Sequence, residues 1–119
     1  MLGKLTYYGR VNNGESIVEE LHMSYSEEEI EAVWEKGEEV PPNGSDDFRK
    51  DACGAWIARS EYGNRDSPYG WEIDHIDPDG GNDLSNLRPL QWRNNAHRQD
   101  DPLTCAVTSS GTTNVRISP

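Results

Sequence analysis

The sequence predicts an α+β fold. Three observations carry the prediction. Ser26-Glu-Glu-Glu29 opens an amphipathic helix; Ala55–Tyr62 and Tyr69–Ile76 alternate in the manner of strands; and a short extended piece through Leu87 and Leu90 leads into a second helix bearing Asn94 to Arg98. The chain has 119 residues, 33% of them hydrophobic, with 11 Gly and 7 Pro. That suits one domain with a modest core and much loop.

Taken in order, Leu5-Thr-Tyr-Tyr is β-prone and Asn12-Asn-Gly-Glu is a turn signal, so a strand-turn-strand start is expected, with Ser16–Leu21 as the second limb. The helix is expected over about 26–36. The Ser26 hydroxyl can accept the N3 amide while Glu29 reaches back, and acids in the first turn suit the helix dipole. Ile30, Val33 and Trp34 form its apolar stripe, Trp34 as a core anchor, and Gly37 is the expected stop. Pro41-Pro-Asn-Gly-Ser-Asp-Asp is a loop. Phe48–Gly54 reads as a short helical turn. Ala55–Tyr62 and Tyr69–Ile76 read as a hairpin joined by Gly63–Pro68, with Trp56, Ile57, Tyr62, Trp71 and Ile73 in the core. Asp101-Pro102 ends the second helix, and 103–119 is an edge strand or a tail. The organisation is thus an acidic segment 1–47 within the same domain, a core over 48–102 and a C-terminal stretch 103–119.

Net charge is −11. Residues 1–47 hold 12 acids against 3 bases, a net of −9; residues 48–119 hold 10 acids against 8 bases, a net of −2. Such a field opposes nucleic-acid binding in general, yet the C-terminal part is nearly neutral, and one divalent cation would cancel its excess. Few lysines and many acids also suit a high-salt cytoplasm. No apolar run approaches the ~20 residues of a membrane span, and no basic-then-apolar leader pattern opens the chain, so a cytoplasmic protein is expected. Cys53 and Cys105 are too few and too far apart for a disulfide framework or a zinc knuckle, and read as small hydrophobes.

The densest chemistry lies between Gly70 and Arg98. Asp74-His75-Ile76 is followed by Pro78, by Gly80-Gly81, by Asn86-Leu87, by Leu90 three residues later and by Asn95 five after that, with Arg98 beyond. This ordered set resembles the signature of the HNH endonucleases, the ββα-metal or His-Me finger motif. The likeness covers about thirty residues. Many relatives carry zinc-binding cysteine pairs; the positions where half of them would fall hold Gln91 and Asn94 here, so no structural zinc is expected.

The resemblance implies a metal-dependent endonuclease acting on DNA. It implies His75 as general base, Asp74 and Asn95 as ligands of a divalent cation, and Asn86 pinning the loop that orients His75. Magnesium or manganese is the expected metal, with zinc or nickel as further options. The chemistry wants these types. An imidazole near its ordinary pKa of ~6.5 takes a proton from water at neutral pH. A hard cation with oxygen ligands stabilises charge at the phosphate and the leaving oxygen. Asp74 and His75 point to opposite faces of a regular strand, so they can share a site only where the strand ends.

The letters His-Asn-His are also met by His75, Asn86 and His97, and Asn94 with His97, at i, i+3, forms an alternative ligand pair. Asn95 and His97 lie about 200° apart on a helix and cannot both face one ion. Arg98, at i+3 from Asn95, is placed to hold a phosphate; Arg88 and Arg93 are further substrate-binding candidates. Asp77, Asp79 and Asp83 read as turn-formers, since their spacing does not fit a calcium loop. A second reading is a non-catalytic module of the same fold that binds nucleic acid or protein. A third lets the acidic segment cover the site, or engage a regulatory or targeting protein.

Overall fold

The computed structural model describes residues 25–41, 46–98 and 103–117. The chain divides into two units, Met1–Ile30 and Glu31–Pro119. The expected strands at 5–21 lie outside the described residues. Among the described residues the architecture is α+β, with two α-helices and three two-stranded antiparallel sheets.

The first helix, α1 (Glu27–Trp34), begins on the capping box: Ser26 N donates to Glu29 Oε1 at 2.9 Å and Glu29 N to Ser26 Oγ at 3.1 Å. It ends in a tightened turn, Lys36 N donating to Val33 O and Gly37 N to Trp34 O. Gly37 does not take the left-handed conformation expected of a helix stop. It is needed for closeness instead, because a Cβ there would meet Arg49 Cβ at 3.1 Å and Trp34 O at 3.2 Å. Trp34 is fully buried, its ring 5.3 Å from that of Trp71.

Strand β1 (Phe48–Lys50) stands where a helical turn is expected. It pairs with β2 (Trp56–Ala58), Lys50 opposite Trp56. Between them Gly54, at φ +79°, closes a tight turn. The expected hairpin between Ala55–Tyr62 and Tyr69–Ile76 does not form. The first segment ends in a 3-10 turn at Arg59–Glu61, and β2 takes the preceding strand as its partner. Strand β3 (Trp71–His75) pairs with β4 (Leu87–Gln91), placing Asp74 opposite Arg88 and His75 opposite Leu87. Helix α2 (Trp92–Arg98) follows β4 without a break and packs on both strands. The C-terminal stretch resolves into a hairpin, β5 (Val107–Ser110) and β6 (Thr113–Arg116), turning at Gly111.

Val33, Trp34, Ala55, Ile57, Trp71, Leu87 and Leu90 form the core. Tyr62, expected inside, is exposed but lays its ring edge-on against Trp71 at 4.9 Å. The cysteine expectation is overturned: Cys53 and Cys105 are joined in a disulfide, their Cα atoms 5.7 Å apart across 52 residues of sequence. The fold brings the turn before β2 against the segment before β5, a proximity that no spacing in the sequence signals.

Candidate nuclease site

The site is built on the β3-β4 hairpin and its loop. Asp74 is nearly buried. Its Oδ2 accepts from Arg88 Nε at 2.8 Å and from Arg98 Nη1 at 2.5 Å. Cross-strand register supplies the first arginine, and α2 supplies the second. Arg98 is itself buried, with Nη1 also on His75 O at 2.8 Å and Nη2 on Ile76 O at 3.2 Å. A guanidinium spent on one carboxylate and two carbonyls is a strap on the end of β3. It does not present the free phosphate-holding face that the sequence suggests. Two guanidinium charges on one carboxylate also leave a local surplus of positive charge.

His75 closes β3. Its Nε2 lies 2.6 Å from Asn82 Oδ1. An amide oxygen only accepts, so in this arrangement Nε2–H is the donor and Nδ1 is the nitrogen left to take a proton.

Asn86 ties the intervening loop. Its Oδ1 accepts Asp77 N at 2.9 Å, and its Nδ2 donates to Asp77 O at 3.1 Å and to Gly81 O at 2.9 Å. Its own carbonyl accepts Ile76 N at 2.8 Å. Gly80 lets the asparagine in: a Cβ there would sit 2.6 Å from Asn86 Nδ2. Asp77 works as a turn-former, its Oδ1 accepting Asp79 N at 3.0 Å.

On α2, Asn95 is half-buried and its Nδ2 donates to Glu72 Oε1 at 2.9 Å. Glu72 also takes Arg65, at 2.6 Å from Nε and 2.8 Å from Nη2, and this hydrogen bond raises the Arg65 pKa above its ordinary value. With its nitrogen engaged, Asn95 keeps its amide oxygen for another partner. Asn94 points its amide the other way in chemical terms. It is fully buried, its Oδ1 accepting Ala106 N at 2.7 Å and Val107 N at 2.8 Å, its Nδ2 donating to Asp51 Oδ2 and Val107 O. Both lone pairs of that oxygen are spent, so the Asn94 and His97 pair has no amide oxygen to give a cation. His97 is exposed, and Arg93 is exposed with its guanidinium 4.6 Å over the Trp92 ring.

The fit of a divalent cation turns on the oxygens that hydrogen bonding leaves open. Among the described residues these include Asp74 Oδ1 and Asn95 Oδ1, on β3 and on the helix packed against it. Both are hard donors of the kind magnesium and manganese prefer, more than zinc or nickel. No cluster of three His, Cys, Asp or Glu side chains able to hold a metal forms among the described residues.

Three residues here were not singled out by sequence. Asn82 follows Gly80-Gly81 and reads as one more turn residue. Glu72 lies two residues before Asp74, hence on the same strand face, which is a signal that could have found it. Asp51, the partner of the Asn94 amide, carries none. No family model, curated protein or solved structure matches the chain.

Proposed function

We propose that this protein is a metal-dependent endonuclease of the HNH type that hydrolyses DNA phosphodiester bonds. The observation that carries the reading is the state of His75: a strand-end imidazole held through Nε2 by Asn82, with Nδ1 open, beside a loop tied by Asn86. The order of β3, the loop, β4 and α2, with Asp74 and Asn95 on packed elements, supports it.

In this reading, water attacks phosphorus, its proton passes to His75 Nδ1, and the bond to the 3′ oxygen breaks. Asp74 and Asn95 would hold a divalent cation, which would supply Lewis-acid charge stabilisation to the reaction. Asn82 and Asn86 fix the imidazole. Glu72 sets the Asn95 amide with its oxygen outward, and Arg98 anchors the strand end that carries Asp74 and His75.

One observation favours the second reading, a non-catalytic module of the same fold: Asp74 Oδ2 is held by both Arg88 and Arg98. Nicking of supercoiled plasmid in manganese, abolished by EDTA, separates the two. Binding without nicking leaves only the module.

A further inference from the structure

On the same chain, a cleft of about 510 Å³ is lined by Lys36, Lys50 and Arg88, with Glu38, Asp51 and Pro89 among the other walls. We infer that this cleft takes a backbone phosphate of the nucleic-acid strand flanking the scissile bond. The inference rests on the nuclease reading and extends it to substrate binding.

Charge is the first argument. Arg49, Arg59, Arg65, Arg88 and Arg98 each pair with a carboxylate. Among the described residues, Lys36, Lys50, Arg93 and Arg116 form no such pair, and two of these four line this cleft. Arg88 adds to them, because it shares Asp74 with Arg98. Of the two acids, Asp51 has both carboxylate oxygens engaged by four N–H groups of the fold. Glu38 is exposed and stays in water. In a protein at −11, an anion needs a local concentration of unspent cations, and the cleft supplies one.

Donor capacity is the second. Lys36 Nζ donates to Leu84 O at 2.8 Å and to Leu87 O, the carbonyls on either side of Asn86. An ammonium has three hydrogens, so one is left. Lys50 Nζ sits 4.9 Å over the Trp56 ring, which fixes its position and consumes no donor.

Continuity is the third. Arg88 faces the cleft while its Nε holds Asp74, and Lys36 grips the segment that carries Asn86. A strand lying at the site therefore has cations at hand on this side.

Lys50 gives the cleanest test, because among the described residues its side chain makes no hydrogen bond and rests only on the Trp56 ring. The probe is a fluorescein-labelled 20-base-pair duplex, titrated by anisotropy in EDTA at several potassium chloride concentrations. Lys50→Gln is expected to weaken Kd about three- to tenfold and to lower the magnitude of the salt slope by about one relative to the parent. Lys50→Glu is expected to weaken it further. Parent protein that binds and nicks DNA while both variants keep its Kd and salt slope overturns the cleft assignment alone. Parent protein that neither binds nor nicks removes the nuclease reading and this inference with it. Displacement of the duplex by micromolar inorganic phosphate or a mononucleotide marks a small-anion site and also overturns the proposal.

Discussion

Asp51 Oδ2 accepts a hydrogen bond from Asn94 Nδ2 at 3.0 Å, and this contact ties the turn before β2 to the start of α2. The same carboxylate accepts Cys53 N, Ala55 N and Gln91 N, at 2.8 to 2.9 Å. Asn94 passes the link to Ala106 and Val107. Asp51→Ala strands four buried or half-buried donors, each costing about 1–3 kcal/mol when left without an acceptor. We expect a loss of several kcal/mol, approaching the whole stability of so small a domain, read as the urea midpoint. Asn94→Ala is expected to cost about 2–4 kcal/mol. A change under about 0.5 kcal/mol in both would mean that the hub is solvated and dispensable.

Features completed by a few adjacent residues were legible in the sequence, and contacts between distant residues left no signal in it. The capping box at Ser26 and Glu29 needs only four residues, and it forms. The polar turn closed by Asn86 is likewise written into adjacent residues. By contrast, Phe48–Lys50 contains good helix formers and becomes a strand only because Trp56–Ala58 lies alongside; tertiary context overrides propensity there. Asp51 looks like any polar turn residue until its partners, 40 and 43 positions later, are folded onto it. Arg98 reads as a phosphate-holding cation because its burial depends on Asp74, 24 residues back. The pairing of Cys53 with Cys105 depends on the same distant closure.

The disulfide closes a loop of 52 residues. Chain entropy alone makes such a link worth about 4 kcal/mol. Reduction with dithiothreitol, or Cys53→Ser with Cys105→Ser, should lower the urea midpoint by a corresponding amount without altering the m-value sign. Equal midpoints for oxidised and reduced protein would show that Asp51 and Asn94 hold the C-terminal hairpin unaided.

The loop between β3 and β4 has a steric signature. Gly80→Ala places a methyl group 2.6 Å from Asn86 Nδ2, so the asparagine must move. Asn86→Ala removes its three side-chain hydrogen bonds outright. Both variants are expected to lose about tenfold or more in cleavage rate, because His75 loses its fixed setting, while the far-ultraviolet spectrum stays native. Gly81→Ala meets nothing within 4 Å and should retain activity, serving as the control.

The acidic segment should shape salt dependence. Its −9 repels DNA most strongly at low salt, where the Debye length is ~30 Å at 0.01 M, whereas counterion release weakens binding as salt rises. The two oppose each other, so cleavage is expected to stay flat or rise up to a few tenths molar potassium chloride. Glu27, Glu28 and Glu35 changed to Gln should restore a steep fall; Glu31 is left alone because it pairs with Arg59. Identical steep falls in both proteins would make the segment a solvated surface with no part in DNA access.

Plasmid nicking tests the proposed general-base role of His75 most directly. Supercoiled plasmid is incubated with manganese and either the parent protein or His75→Ala, with manganese affinity measured on both by calorimetry. We predict nicking by the parent that EDTA stops, no nicking by His75→Ala, and nearly equal manganese affinity, because in the proposed reaction His75 acts on water while Asp74 and Asn95 hold the ion. A His75→Ala protein that nicks at the parental rate would contradict it.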